Sequence, residues 1–213
     1  MAFKRFVAAI LVGIATLFPA ASSLAKTFRI VGFGDSLMAG YQLGPGQSFT
    51  DQLQAALRRD GFDVAVANAG VSGDTTSDGL AHLGWSIPDG TDMVLLELGS
   101  NDMLRGIEPA ITKKNLAEMI EKLKARGIGI VLMGMLAAPN LGAAYTSAFD
   151  AIYPDLAKQF GLPLYPFFLK GVAQHPDLQL SDGMHPNAKG VAVMVKGALP
   201  AIEKAMKTRE KRF

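Results

Sequence analysis

Short apolar runs and longer amphipathic stretches alternate along most of the chain. The apolar runs are rich in Val, Ile, Leu and Phe, and several of them end at a glycine. Runs of this length and composition are typical of strands that are buried on both faces of a sheet. We therefore predict five buried strands, over residues 28–34, 63–70, 92–99, 128–135 and 162–168.

The amphipathic stretches between these runs carry the signals of helix ends. Ser48 and Asp51 have the spacing of a capping box, and glycines follow three of the stretches, at Gly61, Gly127 and Gly161. The pattern predicts four helices, over residues 48–59, 112–126, 145–160 and 187–207. Because strands and helices alternate, we predict an α/β fold with a parallel sheet and helices on both faces of it.

The first 25 residues have the layout of a secretory signal peptide. Lys4 and Arg5 precede an apolar stretch that contains Pro19, and small residues lead up to Ala25. We predict that residues 1–25 are a signal peptide cleaved after Ala25. The protein is then exported, to the periplasm or the medium, and keeps no membrane anchor.

An uncleaved membrane anchor is the alternative, because residues 6–25 carry no charge. Residues 26–213 show no repeat, linker or change of composition, and we predict that they form a single domain. Cleavage would remove two of the 21 basic side chains and none of the 19 acidic ones, which leaves a formal net charge of zero. A neutral protein has no general attraction for nucleic acid, so we expect no nucleic-acid partner. We also expect a monomer.

The chain contains no cysteine. This excludes disulfides, thiolate metal sites and a cysteine nucleophile. An exported protein of this composition has to be held together by the packing of its core.

Three of the predicted strands end in loops of small and polar residues. Ser36 follows the first strand, residues 70–73 follow the second, and residues 99–102 follow the third. Parallel strands have their carboxyl ends at the same edge of a sheet, and such sheets bind ligands there. We therefore expect these loops to meet at one rim.

Acyl transfer by a serine needs a hydroxyl, a base that takes its proton, and an acid that orients the base. Ser36 is the candidate nucleophile, although the common G-x-S-x-G pattern is absent. His185 is the candidate base, since it lies in a loop before a predicted helix with Asp182 three residues earlier. The position of His82 is more typical of a half-buried residue in a helix, and that of His175 is more typical of a solvated loop. Ser36 and Asp182 are also compatible with ordinary turn and capping roles.

The loops after the second and third strands hold candidate donors for the oxyanion of such a reaction. At Gly73 the missing side chain lets a backbone N–H approach a ligand closely. The amide of Asn101 can donate to a developing negative charge. Turn formation is the alternative for both residues.

Four segments, FGDSLMAGY, NAGVSGDTT, LGSNDM and DGMHP, resemble in this order the four motif blocks of the SGNH (GDSL) hydrolases. The resemblance extends over essentially the whole chain after residue 25. It is closest to a branch of periplasmic acyl-CoA thioesterases, proteases and lysophospholipases that also contains arylesterases.

The resemblance implies a flavodoxin-like three-layer sandwich and a reaction without metal or cofactor. It implies that Ser36 is the nucleophile, that His185 is the base and acid, and that Asp182 orients His185. It also implies an oxyanion hole made of the backbone N–H groups of Ser36 and Gly73 and the side chain of Asn101.

Ser100 departs from the family pattern, because related sequences often have glycine there. We expect this serine to affect the flexibility of the loop or the wall of the pocket more than the chemistry. The substrate pocket is predicted near Leu104, Ile107, Pro139 and Tyr145, in stretches apolar enough for an alkyl chain. The alternative is that these stretches only pack a strand end against a helix.

These features together predict a serine esterase that acts through an acyl-serine. Its substrates are expected among small-molecule aryl or short-chain esters, acyl thioesters and lysophospholipids. There are three alternatives. One is a nucleotide site at GFGDSL, although this segment lacks the third glycine of the G-x-G-x-x-G dinucleotide-binding pattern. The others are a non-catalytic lipid or glycan binder on the same fold, and a metal site. The metal site would use His175, Asp177, Asp182 and His185, whose spacing matches no common metal motif.

Overall fold

A computed structural model describes residues 26–210, in which five parallel strands form one sheet of order β2-β1-β3-β4-β5. This is the strand order of flavodoxin-like doubly wound folds. The strands are β1 (Phe28–Gly34), β2 (Val64–Gly70), β3 (Met93–Leu96), β4 (Gly129–Met133) and β5 (Leu164–Tyr165). The predicted α/β fold with a five-stranded parallel sheet is confirmed. The predicted signal peptide lies outside the described residues.

The strands differ from the sequence prediction mainly in length. β1 has the predicted bounds and pairs with β2 over seven residues. β5 is two residues long where seven were predicted. Pro163 precedes it, and since proline has no N–H to donate to β4, the pairing cannot begin earlier in the chain.

Eight α-helices occur among the described residues. Ser48 and Asp51 form the predicted capping box at the start of the second. The helices are α1 (Ser36–Ala39), α2 (Phe49–Arg59), α3 (Thr76–Ser86), α4 (Ser100–Leu104), α5 (Pro109–Ala125), α6 (Ala143–Asp150), α7 (Ile152–Phe160) and α8 (Ala188–Glu210).

The single helix predicted over residues 145–160 is wrong, because this stretch forms parts of two helices, α6 and α7, on either side of Ala151. Pro154 explains the break. It has no N–H for the carbonyl of Asp150, four residues before it, and its ring would clash with that carbonyl in a continuous helix.

Helix α3 was not predicted, although it begins with a second capping box, between Thr75 and Asp78. Gly79 and Gly84 lie inside it and lower its intrinsic helix propensity. Gly79 is explained by packing, because a Cβ there would come within 2.4 Å of Leu98. The tertiary contact therefore outweighs the propensity.

The helices cover both faces of the sheet. Phe33 of β1 contacts His82 of α3, whereas a Cβ at the neighbouring Gly32 would meet Met38 and Thr50 of α1 and α2. Successive strand residues point to opposite faces, so α3 lies on one face and α1 and α2 lie on the other. Helix α8 packs against α2, and α5 packs against α3 and α7, which completes two helical layers.

Candidate active site

Ser36 is the first residue of α1, directly beyond the end of β1. The carboxylate of Asp35 caps this helix by accepting a 3.0 Å hydrogen bond from the N–H of Leu37. Helix α1 lies close to the end of β2, where a Cβ at Gly70 would come within 2.4 Å of the Ala39 nitrogen. Glycine at position 70 therefore permits the contact that holds α1, and with it Ser36, at the rim of the sheet.

His185 lies within hydrogen-bonding distance of Ser36, from a loop near the other end of the chain. Its Nε2 is 2.9 Å from the Ser36 Oγ, and its Nδ1 is 2.7 Å from Asp182 Oδ2. The ring of Tyr41 packs against the imidazole, with centroids 4.5 Å apart. A hydroxyl, an imidazole and a carboxylate thus stand in one hydrogen-bonded line.

The loop that carries His185 is held in a hairpin-like shape. The N–H of Leu180 donates to the His185 carbonyl, and Gln179 and Pro186 form a bridge. Inside the loop, Asp182 Oδ1 accepts the backbone N–H groups of Met184 at 2.9 Å and His185 at 3.0 Å. One short turn therefore positions both the acid and the imidazole.

Hydrogen bonds keep Asp182 ionised. The backbone N–H groups of His185 and Met184, followed by the His185 ring, lower the pKa of Asp182 to about 2. Each of these donors stabilises the charged form. At neutral pH the Nδ1 of His185 therefore faces a full negative charge.

The predicted oxyanion donors lie on the loops after β2 and β3. Gly73 has a φ of +90°, which favours glycine, and its carbonyl accepts a 2.7 Å hydrogen bond from Arg105. Among residues 26–210, the backbone N–H groups of Gly73 and Ser36 have no hydrogen-bond acceptor. The Nδ2 of Asn101 donates to the Asp74 carbonyl at 3.0 Å and to Asp35 Oδ2 at 3.2 Å.

Two buried carboxyl groups lie beneath this rim. Glu97 Oε2 accepts the N–H of Asp35 at 3.2 Å, and a Cβ at Gly34 would fill the space that Glu97 occupies. Burial, followed by the charge of Asp35, raises the pKa of Glu97 well above its usual value, so we treat Glu97 as neutral. The Asp35 carboxylate accepts hydrogen bonds from the Leu37 N–H, the Ser100 hydroxyl and the Asn101 amide.

A cavity of about 730 Å³ opens beside Ser36 and His185. Its walls are mostly apolar and include Met103, Leu136 and Phe167. Ser100 and Asn101 also line it, as does Gly73. The reactive groups therefore face a space large enough for a small ester.

Two of the four residues predicted for the substrate pocket line this cavity, Leu104 and Pro139. Ile107 and Tyr145 are not among the residues that line it. The Tyr145 hydroxyl instead donates a 2.8 Å hydrogen bond to the Ile107 carbonyl, which connects the two predicted walls to each other.

The GDSL-like lipase/acylhydrolase family model matches residues 33–193. An arylesterase from Vibrio mimicus is 43% identical over 159 residues, which are 74% of this chain and 80% of that protein. The chain belongs to the GDSL-like lipase/acylhydrolase family. The resemblance predicted from its four motif blocks is confirmed.

Other relatives of this GDSL-family protein agree with that assignment. The thioesterase 1/protease 1/lysophospholipase L1 of Escherichia coli K12 is 40% identical over 157 residues, which are 72% of this chain and 73% of that protein. The structure of AlinE4, an SGNH-hydrolase family esterase, matches with a TM-score of 0.72 at 47% identity and covers 86% of this chain and 98% of its own. The GDSL-family protein is a serine esterase, as the sequence predicted.

Sequence reasoning missed several residues of the GDSL-family site. Asp35 was not singled out, although aspartate is a preferred residue at the start of a helix. Tyr41 and Met184, which line the cavity, carry no periodic signal because both lie in loops. Ser100 was noticed, but its bond to Asp35 joins loops 65 positions apart in sequence and could not be foreseen.

Within residues 26–210 of the GDSL-family protein, no group of three or more His, Asp or Glu side chains is arranged to hold a metal ion. None of the helices in this part of the chain combines the length and the apolar character that crossing a membrane requires.

Proposed function

We propose that the protein hydrolyses small neutral esters through an acyl-enzyme formed on Ser36, with His185 and Asp182 as the other members of its catalytic triad. One observation carries the proposal: the 2.9 Å separation of Ser36 Oγ and His185 Nε2, continued by the 2.7 Å contact of His185 Nδ1 with Asp182. A serine and a histidine in this geometry can exchange a proton.

In the proposed reaction, His185 Nε2 takes the proton of Ser36 as Oγ attacks the ester carbonyl. The oxygen of the tetrahedral intermediate accepts the N–H groups of Ser36 and Gly73 and the amide of Asn101, which gives up its 3.2 Å bond to Asp35 Oδ2 for this purpose. The bond to the leaving alcohol or thiol then breaks, and His185 gives that group its proton. Water repeats the sequence on the acyl-serine, which releases the carboxylic acid and restores the Ser36 hydroxyl.

The cavity supports a preference for uncharged substrates. Among residues 26–210, those that line the cavity include no Lys, Arg, Asp or Glu. An apolar acyl group can bury its surface there, whereas the phosphates of an acyl-CoA would find no cation in the lining. We therefore propose neutral aryl and short-chain esters as better substrates than acyl-CoA, with lysophospholipids in between because their phosphate can remain outside.

We also propose that the enzyme is exported, to the periplasm or the medium, as a single-domain monomer without a membrane anchor. The signal-like composition of residues 1–25 supports export. This part of the proposal is tested by the N-terminal sequence of the protein recovered from cells, which should begin at Lys26.

Covalent labelling tests the proposed nucleophile. An aryl phosphonate ester should form a phosphorus–oxygen bond to Ser36 Oγ and release its phenol, which adds one phosphonyl group per chain by mass spectrometry. Ser36→Ala should remain unlabelled, should lose ester hydrolysis, and should keep the thermal midpoint of the wild type. Labelling elsewhere, or substantial activity in Ser36→Ala, would remove the assignment. A non-catalytic binder would not be labelled in either form.

A substrate panel tests the proposed preference. kcat/KM should be highest for p-nitrophenyl esters of short acyl chains, lower for lysophospholipids, and lowest for acyl-CoA of the same chain length. A matched acyl thioester of a small neutral thiol separates the effect of charge from that of sulfur. If that thioester and the acyl-CoA are hydrolysed equally well, charge is not the discriminating property.

A further inference from the structure

His82 is the histidine that the proposed mechanism does not use, yet it is the most constrained of the three. It lies on α3 with 13% of its side chain exposed, and its Nε2 is 2.5 Å from Asp74 Oδ2. Its Nδ1 is 2.7 Å from the hydroxyl of Ser86. The ring also packs between Phe33 and Trp85, with centroids 5.2 Å and 5.1 Å away.

Asp74, the partner of His82, belongs to the loop that holds the proposed oxyanion donors. It follows Gly73 directly, and its own carbonyl accepts the Asn101 amide at 3.0 Å. One residue therefore touches His82 through its side chain and Asn101 through its backbone. The carboxylate is 12% exposed, so few water molecules can replace His82 as its partner.

Arg105 also anchors this loop, through its contact with the Gly73 carbonyl. That bond is exposed, whereas the contact of His82 with Asp74 is part-buried and faces the helical layer. A hydrogen bond to a buried carboxylate is stronger than an exposed one, because water competes less for the charge. His82 is thus the more strongly held of the two anchors.

We propose that His82 is a positioning residue for the oxyanion hole: by binding Asp74 it holds the loop of residues 71–75 so that Gly73 and Asn101 can meet the substrate oxygen together. This inference rests on the proposed function. His82 does not touch the substrate and acts only through Asp74. When the bond is lost, the Asp74 carboxylate is left without its buried partner and the loop is free to shift.

The test compares two variants of His82. His82→Phe keeps a ring between Phe33 and Trp85 but cannot bind Asp74. His82→Gln places a donor near the position of Nε2 and should restore the bond. Complete loss of one oxyanion donor costs about 100- to 1,000-fold in kcat, so misplacing the loop should cost about tenfold. We expect that loss in His82→Phe with little change in KM, and near wild-type kcat in His82→Gln.

Three controls separate positioning from simple stability. kcat is referred to sites counted by stoichiometric phosphonate labelling, so unfolded protein does not contribute. The same substitution at the exposed His175, His175→Phe, should leave kcat unchanged. In an Asn101→Ala background the effect of His82→Phe should be smaller, because the part that acts through the Asn101 amide is already lost and only the part through Gly73 remains.

The outcomes distinguish this inference from the proposed function. An unchanged kcat in His82→Phe, or a loss that His82→Gln does not restore, overturns the role of His82 while Ser36→Ala remains inactive. An active Ser36→Ala overturns the proposed function itself. If His82→Phe does not fold, His82→Asn decides by the same readouts, because its shorter amide cannot reach Asp74.

Discussion

The two halves of the active site are built in different ways. The acid–base loop, residues 182–185, is in part accessible to solvent, with 31% of the Asp182 side chain and 18% of the His185 side chain exposed. The oxyanion network, which we define as Asp35, Asp74, Glu97, Ser100 and Asn101, lies at and below the rim, and Asp35 and Glu97 are buried. The acid–base loop is held by bonds within a few residues, whereas the network joins three strand ends.

This difference matches what each half is proposed to do. A group that exchanges protons with substrate and water needs access to solvent and a charged partner that stays charged, and Asp182 meets both conditions. Donors to an oxyanion need fixed positions in a site that excludes water, because reorganisation would cost part of their stabilisation. A local turn is sufficient for the first task, and the second requires a network across the sheet.

The largest loss of activity is expected from a substitution in the acid–base loop. Asp182→Asn should lower kcat by about 10,000-fold, because an amide that donates to Nδ1 of His185 forces the proton onto Nε2, which can then no longer accept it from Ser36. Steady-state hydrolysis of a p-nitrophenyl ester measures the loss. Asp177→Asn, an exposed carboxylate five residues earlier, is the matched control and should keep wild-type kcat. A loss of less than tenfold in Asp182→Asn would exclude this orienting role.

The second largest loss of activity is expected from a substitution in the oxyanion network. Asn101→Ala should lower kcat by about 100- to 1,000-fold with a smaller change in KM, because its amide is proposed to act on the transition state more than on the bound ester. Single-turnover acylation by the same ester isolates the affected step. A proportional rise in KM with unchanged kcat would mean instead that Asn101 only binds the ground state.

A smaller effect concerns Ser100, which shares Asp35 Oδ2 with Asn101. Without the Ser100 hydroxyl, Asp35 holds the Asn101 amide more tightly, so Ser100→Ala should lower kcat. The loss of a hydrogen bond to the Asp35 carboxylate should also lower the free energy of unfolding by about 1.5–3 kcal/mol. Ser100→Gly separates this effect from backbone flexibility. Equal losses in both variants support the hydroxyl, and a loss in Ser100→Gly alone would support flexibility.

The smallest expected effect is the pH dependence of stability that comes from the Asp182 carboxylate in the acid–base loop. The pKa of Asp182 is about 2 in the fold, below the value of about 3.9 for an unfolded chain. The ionised side chain therefore stabilises the fold fully above about pH 4, and this contribution is lost as the pH falls through 2. The difference in thermal midpoint between wild type and Asp182→Asn should accordingly narrow between pH 4 and pH 2. A difference that stays constant over this range would contradict the lowered pKa.

Much of the fold could be predicted from local patterns. β1 was predicted with its final bounds and the capping box of Ser48 was recognised, because apolar runs and helix caps depend on residues close in sequence. Two of the failures have equally local causes. Pro154 divides a helix whose apolar pattern runs on through it, and Pro163 limits the start of β5.

The sequence by itself determined the kinds of group at the site and the strand ends that carry them. Asp182 and His185 could be paired from their spacing, because a single turn contains both. Only the tertiary structure decided the partners of Asp35, Ser100 and His82, since each of those bonds depends on distances between separate elements of the fold. Side-chain contacts of this kind are set by how strands and helices pack, and the order of residues along a chain does not record them.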